Sequence, residues 1–219
     1  MMKQKFSRKR RLMTKNLFFD LDGTLISPEQ RMYKLFCELC PENNFSCEEY
    51  WSLKRKKINQ NDFLKNFFNY SDEEISRFKK NWLEKIEEKK RLTDDKPIEN
   101  IEKLLKKLSQ NYKLFIVTNR QDKKFVIEQI KNFGWFDFFD KILITEQKRT
   151  KADLIKEYVV LTSGDIFIGD TGEDILTAKE LGIKSIAVTY GFLDKEILQE
   201  YNPDIIIEKV EDFDNCQFI

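Results

Sequence analysis

Histidine is missing from this 219-residue chain altogether. Its absence removes Ser-His-Asp and Cys-His nucleophile pairs, histidine metal sites and phosphohistidine chemistry. Catalysis, if present, must rest on carboxylates, lysine, hydroxyls, thiols or a hard metal ion. Long apolar runs are also lacking: no stretch approaches the roughly 20 residues a membrane helix needs, and the N-terminus has no apolar core of the secretory kind. Neither an internal repeat nor a low-complexity linker is visible. Cysteine is sparse, with Cys37, Cys40, Cys47 and Cys216. Cys37-x-x-Cys40 hints at zinc or redox work, but a fourth ligand would have to come from the far end of the chain. Ordinary reduced thiols are the expectation, and a reducing cytoplasm is the expected compartment.

What is present is a globular composition: 41% apolar residues and 19 phenylalanines, too much hydrophobic surface for a disordered chain. The length suits one domain with a large insert or two small domains. The formal charge of +1 hides an uneven distribution. Residues 1–15 hold seven basic side chains and no acid, leaving 32 basic against 38 acidic residues in the remainder. A mildly acidic body is a poor general nucleic-acid binder. The basic head, residues 1–13, reads as an arm.

Asn16-Leu17-Phe18-Phe19 is a short apolar run of the kind that forms a strand buried on both faces. From Pro28 to Asp95 the pattern becomes helical: Met32, Leu35, Phe36, Leu39; Phe63, Leu64, Phe67, Phe68; Ile75, Phe78, Trp82, Ile86. Ser71-Asp72-Glu73-Glu74 marks a helix start. Residues 28–95 therefore read as an all-helical module, its phenylalanines as core and Lys54-Arg55-Lys56-Lys57 as a solvated helix face. After Pro97 strands and helices alternate, with strands over 113–117, 142–144, 166–168, 185–188 and 205–207, and helices over 98–108, 123–133, 152–160 and 175–181. That alternation predicts a doubly wound, mostly parallel α/β sheet of Rossmann-like type, residues 14–27 and 96–219, carrying the helical insert as a cap.

Ligands of such sheets bind beyond the carboxyl ends of the strands, and four expected strand ends or helix starts carry reactive residues. They are Asp20-Leu21-Asp22-Gly23-Thr24, Thr118-Asn119-Arg120, Lys148-Arg149-Thr150-Lys151 and Gly169-Asp170-Thr171-Gly172-Glu173-Asp174. Asp20, Asp22 and Asp170 would repel one another unless a cation intervened. Oxygen ligands alone point to Mg²⁺ rather than zinc. Asp170 and Asp174, four apart at an expected helix N-terminus, should share a face, and that terminus could also receive an anion. Thr118 offers a hydroxyl and Lys151 a positive charge to phosphoryl oxygens, with Lys148 a competitor for that role. This is an inventory for phosphoryl transfer through a carboxylate nucleophile.

Phe18-Phe19-Asp20-Leu21-Asp22-Gly23-Thr24-Leu25, Val117-Thr118-Asn119, Lys151 and Gly169-Asp170-x-x-x-Asp174 resemble the four motifs of the haloacid-dehalogenase-like hydrolases, in order, over residues 16–208. The insert resembles the cap of the phosphoglycolate-phosphatase and β-phosphoglucomutase branch. The resemblance implies that Asp20 is the nucleophile and a Mg²⁺ ligand. Asp22 would be the acid and base, with its backbone carbonyl on the metal. Asp170 would be a direct ligand, and Asp174 a ligand or the residue that orients Lys151. Thr118, Lys151 and Asn119 would hold the phosphoryl group. An acid at Asp22 favours phosphoryl chemistry over C–Cl cleavage. Ala152 stands where many relatives have proline. The expected activity is hydrolysis of a small phosphorylated metabolite; a phosphomutase and a non-catalytic phosphate-binding protein are the alternatives.

Overall fold

The computed structural model describes residues 15–219; the basic arm, residues 1–13, lies outside them. Six strands form one parallel sheet: β1 (Asn16–Phe19), β4 (Lys113–Thr118), β5 (Lys141–Ile144), β6 (Ile166–Gly169), β7 (Lys184–Val188) and β8 (Ile205–Ile207). Their order is β5-β4-β1-β6-β7-β8, with β1 between β4 and β6. The three strands whose ends carry the aspartates and Thr118 are thus direct neighbours.

Alternation along each strand explains why the sheet is buried on both sides. Leu17 and Phe19, Leu114 and Ile116, and Ile166 and Ile168 face one core, shared with α6 (Ile101–Leu108) and α7 (Lys123–Asn132). Phe18, Phe115, Val117 and Phe167 face the other, shared with α8 (Lys151–Tyr158) and α9 (Gly172–Leu181). Side chains two residues apart on a strand lie on one face, so a four-residue apolar run supplies both layers. In register, Phe18 sits between Phe115 and Phe167, with ring centroids 5.1 and 6.3 Å away.

Between β1 and α6 the chain leaves the sheet through β2 (Ile26–Ser27) and returns through β3 (Lys96–Pro97), which pair antiparallel. This ribbon had no sequence signal, being only two residues per strand. The expected first turn of α6, residues 98–100, is a tight turn instead, and the helix starts at Ile101 after Asn100 in the left-handed region. The intervening segment comprises α1 (Glu29–Leu39), α2 (Cys47–Arg55), α3 (Gln60–Phe68), α4 (Asp72–Lys85) and α5 (Lys89–Leu92). These helices have an aromatic core of their own, in which Phe36 stacks on Tyr50 at 4.8 Å and meets Phe63 edge-on at 5.2 Å. Ser71 and Glu74 cap α4 reciprocally, as their spacing predicts. By contrast, α10 (Lys195–Glu200) has no counterpart among the expected helices, and of α2 only the basic run at its end was expected to be helical. Tyr50 and Trp51 are adjacent, which gives no helical stripe; the capping pair Ser46 and Glu49 was the available signal.

The run Lys54–Lys57 is not simply a solvated face. Arg55 reaches across to the sheet-bearing part, donating to the Thr189 and Gly191 carbonyls at 2.7 and 2.5 Å and to Asp194 at 2.7 Å. Lys54 turns inward to Gln60, and burial lowers its pKa to about 8. All four cysteines are free thiols, and burial lifts Cys40 and Cys47 to about 11, which leaves both protonated and unreactive. Among the described residues no helix is long and apolar enough to cross a membrane.

Candidate active site

β1 ends at Phe19, and the next residue, Asp20, still donates its backbone N–H to Ile168 of β6 at 2.9 Å. That bond carries the sheet geometry one residue past the strand and fixes where the Asp20 carboxylate starts. On β6, Gly169 is followed by Asp170 and then by Thr171, the N-cap of α9. Asp170 therefore precedes the helix rather than sharing a helical face with Asp174. The turn brings them together instead: carboxylate oxygens of Asp20, Asp170 and Asp174 lie within 4.8 Å of one another.

Each acid is only 6% exposed or less. Two like charges about 4 Å apart near a protein repel by about 4 kcal/mol, so the cluster needs positive charge. Lys151, the first residue of α8 and 3% exposed, donates to Asp20 Oδ1 at 2.7 Å and to Asp174 Oδ1 at 2.6 Å. Lys148 points away, exposed, toward Glu146. The geometry thus separates the two lysines that the sequence left in competition. Burial would strip Lys151 of its proton, but Asp174 and Asp20 outweigh it and raise the pKa. Burial, with Asp174 adding, drives the Asp170 pKa up to about 7. Asp20 is raised as well, burial again leading and Lys151 opposing.

With all three carboxylates ionised against one ammonium, two negative charges would remain, the complement of a divalent cation. The surroundings are built to hold Asp170 toward that point. Thr24 Oγ1 donates to Oδ1 at 2.8 Å and the Phe192 N–H to Oδ2 at 2.7 Å. Gly23 and Gly191 leave room for it, since a Cβ on either would come within 2.1 and 2.2 Å of Asp170 Oδ2. Gly23 also has φ +85°, which a side chain would strain. Such hard, oxygen-only donors fit Mg²⁺.

Asp22 is different. Its carboxylate stands apart from the acidic cluster and is gripped by two arginines. Arg120 Nε and Nη2 donate to its two oxygens at 2.5 and 2.6 Å, and Arg31 Nη2 donates at 2.5 Å. Burial alone would raise its pKa, but Arg120 and then Arg31 bring it below the usual value. Its side chain is not among the carboxylates that cluster around the possible metal position. Thr118 is buried at the end of β4. Asn119 donates to Glu173 at 2.9 Å and accepts from Thr145 at 3.1 Å. Neither caps α7, whose N-cap is Asp122. The α9 terminus is partly occupied, because Asp174 Oδ2 accepts from the Thr171 N–H at 3.1 Å.

Asp20, Asp22, Thr118, Asn119 and Lys151 line one cavity of about 300 Å³, at the small end for ligand sites. Its other walls include Arg31 from α1, Arg120 after β4, and Trp82 from α4. Larger grooves, about 460 and 520 Å³, run along α6 and the C-terminal segment and hold none of these residues. Sequence reading assigned no role to Arg31, because a lone arginine on an amphipathic helix looks solvated. Arg120 stood in a motif without a role. Thr24 and Gly191 likewise become visible only through their contact with Asp170.

Residues 17–188 match the family model of the haloacid dehalogenase-like hydrolases. The "Putative pyrophosphatase PpaX" of Clostridium perfringens is 32% identical over 216 residues, covering 90% of this chain and 94% of its own. A phosphoglycolate phosphatase of Psychrobacter arcticus is 30% identical over 122 residues, about half of each chain (52% and 51%). Among solved structures, a haloacid dehalogenase-like family hydrolase from Streptococcus pneumoniae superposes with a TM-score of 0.73 at 26% identity, covering 92% of this chain and 97% of its own. With sheet order, motif placement and extent of match all in agreement, the chain belongs to the haloacid dehalogenase-like hydrolases.

Proposed function

We propose that this hydrolase is a Mg²⁺-dependent phosphatase of small phosphorylated metabolites that works through an aspartyl-phosphate on Asp20. The observation that carries the reading is the buried Asp20–Lys151–Asp174 chain beside Asp170. Lys151 holds Asp20 Oδ1, leaving Oδ2 to attack phosphorus. The ester or anhydride P–O bond breaks as the Oδ2–P bond forms, and the leaving oxygen takes a proton from Asp22 or departs as a stable anion. Water then gives a proton to Asp22 and attacks the phosphorus of the acyl phosphate, releasing phosphate and restoring Asp20. The arginine grip, which keeps Asp22 ionised, suits the second step and leaving groups that need little protonation. Lys151 and Thr118 bind phosphoryl oxygens, with Asn119 assisting. Mg²⁺, held by Asp20, Asp170, Asp174 and the Asp22 carbonyl, would neutralise phosphoryl charge. The helical segment 28–95 acts as a cap, putting Arg31 and Trp82 over the cavity and limiting its size.

The names of the relatives make pyrophosphate and phosphoglycolate the first substrates to try. A panel of phosphorylated metabolites should include both, assayed with Mg²⁺ and again with EDTA. Turnover should appear with Mg²⁺, vanish in EDTA and return on adding excess Mg²⁺. Full activity in chelator would refute the carboxylate-cage reading.

A further inference from the structure

Lys151 holds Asp20 and Asp174 in the acidic cluster, but among the described residues Asp170 is held by Thr24 Oγ1 and the Phe192 N–H. Thr24 sits in the turn directly after β1. Phe192 does not have that support, because it lies in the loop after β7, residues 189–194. Thr189 still donates its N–H to Ile207 of β8 at 3.0 Å, and the chain then bends away from the sheet. Gly191, in the same loop, backs against Asp170 Oδ2. Connecting segments are less fixed than the elements they join, so a loop that must aim one N–H at a carboxylate needs support from elsewhere.

That support comes from α2. Arg55 donates Nη2 to the Thr189 carbonyl at 2.7 Å, Nη1 to the Gly191 carbonyl at 2.5 Å and Nε to Asp194 at 2.7 Å. Its own carbonyl accepts from the Asp194 N–H at 3.1 Å. One planar group therefore spans the loop from its first residue to its last, and a guanidinium fork fixes the relative placement of its acceptors better than a flexible ammonium does. Trp51, one turn earlier on α2, packs its ring 5.1 Å from that of Phe192. Residues four apart on a helix share a face, so both contacts come from one surface of α2. Together they enclose the residue whose N–H holds Asp170. An attachment that served only to hold α2 down could fall anywhere on the sheet-bearing part. This one falls on the backbone that orients a candidate metal ligand.

We propose that Arg55, with Trp51 beside it, is a positioning residue for the divalent cation: it clamps the loop after β7 so that the Phe192 N–H and Gly191 keep Asp170 turned toward the other two acids. Arg55 touches neither the cation nor the phosphoryl group and acts through the loop alone. The inference rests on the reading of Asp20, Asp170 and Asp174 as a Mg²⁺ site, and cation binding tests it without turnover.

Titration calorimetry with Mg²⁺ alone, in the absence of any phosphorylated compound, measures the effect directly. Arg55→Ala should bind Mg²⁺ roughly tenfold more weakly than the wild type, the low end of the range for groups that orient metal ligands. Arg55→Lys keeps a positive charge without the fork and should fall between. Asp194→Asn weakens the clamp from the loop side and should shift the affinity the same way, which keeps the test decisive if thermal melts show Arg55→Ala unfolded. Glu87→Ala cuts a different tie between the inserted segment and the sheet-bearing part, the one to the Gln121 and Asp122 N–H groups, and should leave Mg²⁺ affinity unchanged. If Arg55 merely anchors α2, its variants will melt earlier and bind Mg²⁺ like the wild type, which overturns the proposal and leaves the Mg²⁺ reading standing. An equal loss in Glu87→Ala overturns it too, because loosening the inserted segment at any point would then suffice. A wild-type protein that binds no Mg²⁺ sinks the metal reading and the proposal with it.

Discussion

Two aspartates two residues apart sit in opposite electrostatic surroundings, and that difference sorts their expected roles. Asp20 lies against Lys151 and other acids, whereas Asp22 lies against arginines. Asp20→Asn should abolish phosphoenzyme formation with any substrate. Asp22→Asn should still accept phosphate from an aryl phosphate, whose leaving group needs little protonation. Its hydrolysis should slow by roughly 10²–10⁴-fold. Brief exposure to an aryl phosphate followed by mass spectrometry should find phosphate on Asp20 in the Asp22 variant; label on another residue would reassign the nucleophile. The raised acids also set a pH dependence for the metal-free protein. Asp170 titrates near 7 in the fold against an ordinary value of 3.8, so the folded state holds its proton more tightly than the unfolded one. Stability in EDTA should then decline as pH rises from about 4 to about 7, with Asp20 pushing the same way. Thermal melts should show that fall, and Mg²⁺ should reverse it at pH 7.5. A melting temperature that climbs through this window in EDTA would contradict the placement of these acids.

At the scale of elements, several contacts besides those of Arg31 tie the inserted helices to the sheet-bearing part. Arg55, ending α2, binds Thr189, Gly191 and Asp194. Glu87, after α4, accepts from the Gln121 and Asp122 backbone N–H groups at 2.8 and 3.0 Å, just where α7 begins. Arg55→Ala removes three contacts and leaves two carbonyls to water. It should cost about 1–3 kcal/mol in thermal melts and raise KM more than it lowers kcat, since no reacting group moves. An unchanged KM would show that this latch does not bear on the cavity. Inside the sheet, Phe18 carries the contact between β1, β4 and β6. Phe18→Ala should cost about 3–5 kcal/mol, measurable by denaturant titration, and should loosen the strand end from which Asp20 projects.

For the whole molecule, the candidate site residues among those described line or adjoin one cavity, and no expected site residue falls in the basic head. Trimming the first twelve residues should therefore leave kcat/KM within about twofold; a large fall with intact folding would place part of the head at the site. The β-α rhythm was legible because a parallel sheet buried on both faces demands short runs of consecutive apolar residues, and Phe18, Phe115 and Phe167 stand in such runs. The β2–β3 ribbon and most of α2 were not legible. The first is too short to show a period, and the second packs adjacent aromatics instead of a stripe.

The sequence by itself determined the order of the six sheet strands and of most helices, the family, and which acids and lysines end up near strand termini, because those follow from local periodicity and motif spacing. Tertiary structure alone decided which partner each acid received. Motif position separates the expected roles of Asp20 and Asp22, but only the fold decides that one meets a lysine from α8 and the other two arginines, one from α1 and one after β4. Lys148 and Lys151 look alike, and only the first turn of α8 turns one inward and leaves the other in solvent. Charge pairing in a buried site depends on distances between residues that are 9 to 131 positions apart along the chain, and no local pattern encodes those distances.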